Sequence, residues 1–262
     1  MISPFIVDAH VHTGFPGTFF APEVDATSFL RRMDQFQIKY AINLSSMRNL
    51  KESSISEMEK VKREYEESGG RIFYCGFYDP KREKEDLALL KKIVKWRGFV
   101  GIKIHPSFSR VSADDGRYEH VWKFALEHDL PIVAHSWSVS IYNPLQVLST
   151  PEKFERHVKK YPEVRFVLAH SGGRGEGRID AIRMLQDYEN IYMDFAGDIY
   201  CNHYFESMAE EKLLDRVIFG TDYPFMDHRS HLTRVYLADV SIEYKKAILQ
   251  KNALKVFRLE GK

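Results

Sequence analysis

Cysteine is scarce in this sequence: among 262 residues only Cys75 and Cys201 carry thiols, with no Cys-x-x-Cys spacing. A disulfide framework and a thiolate-built zinc site are therefore excluded. An excess of either charge is missing too, since 38 Lys and Arg stand against 37 Asp and Glu for a net charge of +1. Without a long-range field to gather phosphates or anionic lipids, neither nucleic acid nor a membrane is an expected partner. Polar residues interrupt every apolar run before it could span a bilayer. The opening Met-Ile-Ser-Pro-Phe-Ile-Val-Asp-Ala-His lacks a basic region followed by an apolar stretch, so the expected location is cytoplasmic. No Pro-, Gly- or Ser-rich linker divides the chain. One domain over residues 1–262 is expected, near the roughly 250 residues of an eight-unit β/α barrel.

What the sequence does contain is an alternation. Short β-like runs at 5–12, 40–44, 72–77, 100–105, 131–135, 165–170, 191–194 and 217–222 end in polar residues. Segments with helical spacing lie between them: Phe29, Leu30, Met33 and Phe36 form one stripe, Ile55, Met58, Val61 and Tyr65 another. Further helices are expected around 87–94, 118–126, 154–161, 179–185, 205–214 and 241–249, and 253–259 is expected to close the bottom or side. Strands alternating with helices imply a parallel sheet. Chemically capable residues at the end of strand after strand favour the closed form, a TIM-type (β/α)8 barrel, over an open sheet with one switch point.

His10 and His12 sit two apart on a strand, so both rings project to the same face, which is the interior of a barrel. Asp8 shares their parity and is placed to accept from one ring and fix its tautomer. His135, His170 and Asp222 each terminate an apolar strand. If the barrel closes, these groups converge with His10 and His12 near the axis, as nitrogen and oxygen donors suited to zinc, manganese or ferrous iron. A metal-free pocket that uses the same histidines for hydrogen bonding is the alternative.

Val-Asp-Ala-His-Val-His at 7–12, Gly-Ile-Lys-Ile-His-Pro at 101–106, Ala-His-Ser at 134–136, Ala-His-Ser-Gly-Gly at 169–173 and Gly-Thr-Asp-Tyr-Pro-Phe at 220–225 resemble one known family. It is the amidohydrolase-related branch of the amidohydrolase superfamily, which includes the aminocarboxymuconate-semialdehyde decarboxylase type. The closing Asn-Ala-Leu-Lys-Val-Phe at 252–257 is similar as well. The resemblance implies that His10, His12, His135 and Asp222 bind one divalent ion, zinc first with manganese or ferrous iron as alternatives. It also implies that His170 faces the substrate as an acid/base or polarising group. In binuclear relatives a strand-four lysine is carbamylated between two metals, which makes Lys103 the position for a second ion; one metal is the expectation here. An uncarbamylated Lys103 would be a buried ammonium beside Asp8 or Asp222.

A metal-activated water would attack an amide, ester or lactone, with Asp222 and His170 as the catalytic pair. Decarboxylation of an unsaturated or aromatic acid fits the same cage, given an anion clamp from Arg48, Arg174 or Arg178. Lys103, His105, Trp137 and Tyr223 are also expected at the substrate, with Pro106, Phe225 and the first-loop Phe15, Phe19 and Phe20 around them. A small organic molecule is the expected partner, and a homodimer a common outcome for such a barrel. His120, His128, His157, His203, His228 and His231 are expected to be structural or solvated. A silent barrel that binds a metal or ligand without turnover is the reading from another class.

Overall fold

The protein is described by a computed structural model covering residues 5–13, 25–44, 54–198 and 201–260. Its strands are runs of Val, Ile, Ala and aromatic residues buried on both faces, the composition that parallel sheets require. β1 (Ile6–Val11), β2 (Ile38–Asn43), β3 (Ile72–Tyr78), β4 (Phe99–Ile104), β5 (Ile132–His135), β6 (Phe166–Ala169), β7 (Ile191–Asp194) and β8 (Val217–Ile218) pair in chain order, every ladder parallel.

The strand expected at 217–222 keeps regular pairing only over its first two residues. Beyond it the backbone still closes the barrel. Ala9 N–H donates to Phe219 O at 2.9 Å, Asp222 N–H to His10 O at 2.8 Å, and His12 N–H to Tyr223 O at 2.7 Å. Gly220 permits this approach, since a Cβ there would stand 2.8 Å from that of His10.

The helices α1 (Ala26–Gln35), α2 (Ile55–Glu67) and α3 (Glu83–Ile93) follow the first three strands. The turn α4 (Pro106–Ser109) and α5 (Glu119–Glu127) follow β4, and α6 (Glu155–Lys160), α7 (Glu176–Asp187) and α8 (Tyr204–Glu210) follow β5, β6 and β7. Asp25 caps α1 by accepting from Ser28 N–H at 2.6 Å, and Ser54 caps α2 through Glu57 N–H. The stripe expected at 29–36 is the buried face of α1; Phe29 and Met33 are fully enclosed, worth about 2 kcal/mol each by area. Among the described residues no helix is long and apolar enough to cross a membrane.

Two apolar layers result. One joins the helices to the outer face of the sheet. The other takes residues from every strand, such as Val7, Ile42, Cys75, Val133, Val167, Tyr192 and Ile218, and fills the barrel. The chain after β8 runs through α9 (His228–Leu237), α10 (Ile242–Lys246), a widened turn over Ala247–Lys251 and α11 (Asn252–Phe257). Ala253, Val256, Phe257 and Leu259 join the interior cluster, and Arg258 pairs with Asp129 in the turn entering β5. The C-terminal segment therefore plugs the end at which strands begin, leaving the opposite end for chemistry.

His231 on α9 shows what burial does to a histidine in this shell. It is fully enclosed, stacks on Phe195 at 5.8 Å, and its Nε2 has no partner among the described residues. Burial, helped by Arg234, pushes its pKa down to about 4. The unfolded chain protonates this ring near 6.5 while the folded one resists until about 4, so its contribution is complete above pH 6.5 and is lost as pH falls toward 4. A His231→Phe variant is expected to lose about 2 kcal/mol less than the parent between pH 7 and pH 5. Urea unfolding of both proteins at the two pH values checks this; equal losses would refute it.

Candidate metal centre

Barrel closure brings the polar residues of the first and last strands together. Asp222 Oδ1 lies 3.4 Å from His10 Nε2 and 3.0 Å from His12 Nε2, and the three donor atoms lie within 4.8 Å of one another. Donors about 2.1 Å from a shared ion stand about 3.0 Å apart at octahedral angles and about 3.4 Å apart at tetrahedral ones. The separations found here are thus those of a coordination polyhedron, and the residues present fit one divalent cation.

Asp194, at the end of β7, orients this group. Its Oδ2 is 2.9 Å from His10 Nδ1, and its Oδ1 accepts the backbone N–H of His170 at 2.8 Å and of Ala196 at 3.1 Å. A carboxylate on Nδ1 places the proton of the neutral ring there and leaves Nε2 as the metal-facing donor. Burial pushes His10 down to about 4, so the ring is neutral at pH 7. Burial would raise Asp194, but the His10 contact and the N–H donors prevail and hold it at about 2. Asp222 behaves similarly: against the cost of burial, the His12 hydrogen bond and the His10 and His12 rings hold its carboxyl well below the ordinary range.

Asp194 takes the part expected of Asp8. The register of β1 shifts between Asp8 and Val11, breaking the strict alternation that would have aligned Asp8 with the two rings. Asp8 instead accepts from Thr221 Oγ1 at 2.7 Å, Thr221 N–H at 3.1 Å and His10 N–H at 3.3 Å, bracing the barrel closure. Strand-end position was the available signal for Asp194, which terminates its strand as His135 terminates β5.

His170 lies among the rings, 4.8 Å from His10 and 4.9 Å from His135 between centroids. Its Nδ1 is 2.9 Å from Ala196 O and donates to it, so Nε2 is the nitrogen left for chemistry. With Asp194 and His10 it forms a second trio of donors within 4.8 Å.

His135, the fourth donor implied by the family resemblance, is not in either trio. Its Nε2 lies 3.0 Å from Gln146 Oε1, and its ring stacks on His105 at 3.9 Å and 11°. Trp137 lies nearly parallel to His135, at 6.3 Å and 8°, and edge-on to His170 at 5.5 Å. Gln146 carried no sequence signal.

The remaining expected residues divide. Lys103 is buried near Asp194 and Asp222 and pushed down to about 8 by desolvation, with no direct ion pair to Asp8 or Asp222. His105 has its Nδ1 at 3.3 Å from Phe108 N–H, capping α4, while its face lines the His135 stack. Arg174 and Arg178 both pair with Asp198 at 3.3 Å, and Arg178 also donates to Gly173 O, so this carboxylate offsets one of their two charges. Tyr223 packs its ring on Phe29 at 5.4 Å and on His228 at 4.5 Å, fastening α1 and α9 to the barrel, whereas Phe225 meets His12 edge-on at 5.6 Å. Arg48, Phe15, Phe19 and Phe20 lie outside the described residues.

Gly197 separates the two catalytic candidates. It has φ of +72°, and a Cβ there would stand 2.9 Å from His170 Nδ1 and 3.0 Å from Asp222 Oδ2. A Gly197→Ala variant is expected to lose about 1–2 kcal/mol through its left-handed backbone. It should also lose at least about tenfold in turnover, because small misplacements of reacting groups are costly. Denaturation and steady-state kinetics check the two effects; unchanged turnover would remove the close approach from the account.

Residues 55–259 match the family model described as amidohydrolase. No curated protein matches the chain. Among solved structures, an uncharacterised TIM-barrel protein from Bordetella bronchiseptica is 17% identical with a TM-score of 0.78, covering 98% of this chain and 99% of that one. The 2,6-dihydroxybenzoate decarboxylase from Rhizobium is 14% identical with a TM-score of 0.75, covering both chains completely. The 5-carboxyvanillate decarboxylase from Novosphingobium aromaticivorans, complexed with manganese and a nitrobenzoic acid, is 17% identical with a TM-score of 0.67, covering 90% and 81%. Likeness at such identities establishes the shared barrel.

Proposed function

This chain belongs to the amidohydrolase family, and from that premise we propose that it is a metal-dependent, non-oxidative decarboxylase of a small aromatic or unsaturated carboxylic acid. The observation that carries the reading is the column of nearly parallel His105, His135 and Trp137 rings beside the His10, His12 and Asp222 donors. A planar acid packed against that column would direct its oxygens toward the cation. Two of the structural relatives are decarboxylases of hydroxylated aromatic acids, one of them with manganese. Hydrolysis, which the sequence puts first, uses the same donors but gives no role to an aromatic column.

His10, His12 and Asp222 would hold the ion. When bound, it supplies a positive anchor for substrate oxygens and a sink for negative charge. His105, His135 and Trp137 keep the ring of the acid flat and exclude water from one face. As the bond between the ring carbon and the carboxylate breaks, carbon dioxide leaves and the electron pair stays on carbon. His170, protonated at Nε2, delivers a proton to that carbon, and solvent restores the imidazolium. Asp194 fixes both His10 and the backbone of His170, keeping the ion's donor and the proton donor in register.

The test is product analysis. Protein loaded with Mn2+ or Zn2+ and given a panel of hydroxybenzoates and unsaturated dicarboxylates should release carbon dioxide. In D2O the product should carry one deuterium where the carboxylate was. Opening of a lactone or ester with incorporation of solvent oxygen, and no carbon dioxide from any acid, would return the reading to hydrolysis.

A further inference from the structure

The turn that carries His170 is left-handed over four successive residues: φ is +63° at His170, +49° at Ser171, +70° at Gly172 and +75° at Gly173. Glycine adopts this backbone freely, whereas His170 and Ser171 each carry the steric cost of an L side chain there. Glycine or asparagine would suit position 171 better as backbone, so a serine there points to its hydroxyl. Ser171 is fully buried, and its Oγ lies 2.6 Å from Asp194 O and 2.8 Å from the Tyr204 hydroxyl. A backbone carbonyl only accepts, so the one hydroxyl proton of Ser171 goes to Asp194 O and its lone pair takes the proton of Tyr204. Burial pushes the Tyr204 phenol up to about 12, so that proton is present across the neutral range. Tyr204 opens α8, and the Arg178 guanidinium packs over its ring at 5.0 Å. Asp194 in turn accepts the His170 N–H through Oδ1 at 2.8 Å. The hydrogen bonds from Tyr204 to Ser171 to Asp194 therefore run in one direction and tie the turn to the end of β7.

We infer that Ser171 and Tyr204 are positioning residues: the Tyr204 hydroxyl orients the Ser171 hydroxyl, which fastens the left-handed turn to β7 and so aims the His170 ring at the substrate. Neither side chain touches the reacting carbon; both act through His170. Two buried hydrogen bonds offset the backbone strain that puts the ring where it is. On its other side the turn packs closely against the start of α7, where a Cβ at Gly172 would collide with Gly177 O. The inference rests on the part given to His170 above, and its test separates the two.

The full-length chain, loaded with Zn2+ and carrying 13C-labelled histidine, gives a ring Cε1–H resonance for His170 that is assigned by its loss in His170→Asn. Ser171→Gly accepts the left-handed backbone and removes the hydroxyl, and Tyr204→Phe keeps the ring under Arg178 and removes the donor. Both variants should shift that resonance while zinc content stays at the parent's value. With the acid of the panel above that the parent turns over fastest, Ser171→Gly should lose about tenfold to a hundredfold in kcat and Tyr204→Phe about threefold to tenfold, with KM within about twofold, because a misaimed proton donor is felt in the transition state. The double variant Ser171→Gly/Tyr204→Phe should be no slower than Ser171→Gly, since Tyr204 acts through the hydroxyl already removed. Losses that multiply in the double variant, or a resonance unmoved in both single variants, would overturn the inference. Should the parent release no carbon dioxide from any acid, the decarboxylase reading falls and the resonance alone decides the inference: a shift in both variants upholds it, and no shift overturns it. If Ser171→Gly does not fold, Tyr204→Phe carries the test by the same resonance.

Discussion

Replacing Asp222 with alanine is expected to weaken divalent-ion binding by at least about a hundredfold and to lower turnover by about a thousandfold. Asp222 supplies the sole carboxylate of the donor trio that includes His12, and its oxygen is the atom both imidazoles approach. Held ionised against burial, it contributes the negative charge that makes the pocket attractive to a cation. Its backbone φ is +66°, a left-handed conformation that Asn and Asp tolerate better than other side chains. Asp222→Asn therefore keeps the local geometry and removes the charge, and it should lose ion affinity nearly as severely as the alanine variant. Metal content by elemental analysis and steady-state rates check both. Full occupancy in Asp222→Asn would show that charge at this position is dispensable and would remove it from the account of ion binding.

His170→Asn is expected to retain the ion and to lose about 100-fold to 10,000-fold in turnover, the range for a missing general acid. His170 also sits at positive φ, +63°, so asparagine again spares the backbone. The backbone N–H that reaches Asp194 survives the change, leaving the orientation of His10 intact. Loss of turnover with metal content and thermal stability unchanged would separate the proton donor from the ion's holders. A rate within about threefold of the parent would remove His170 from the chemistry.

The alternation of apolar strands and amphipathic stripes made the eight-unit barrel legible, because each strand needs two buried faces and each helix one. Local deviations were not legible. β8 stops at Ile218 instead of 222, and Asp222 takes a left-handed backbone with φ of +66° at the site. The helix expected over 241–249 continues to Phe257 through a widened turn at Ala247–Lys251 that apolar spacing cannot distinguish.

The site divides in the same way. His10, His12 and Asp222 could be found because strand ends converge in any such barrel. Gln146 and Asp198 could not, since an amide and a carboxylate on loops gain meaning only from what folds against them. The arginine-rich stretch after His170 advertises an anion clamp, but Asp198, twenty residues beyond Arg178, takes both guanidinium groups.

The backbone bonds joining the first and last strands come from Ala9, His12 and Asp222, residues in or beside the donor trio. Clasp and candidate centre are one object: an ion held by His10, His12 and Asp222 would also fasten the ends of the sheet. Filling the centre at one hundred times its dissociation constant would add about 2.7 kcal/mol to the folded state. Stripping it would speed amide exchange first at those three positions and only later around the rest of the circle.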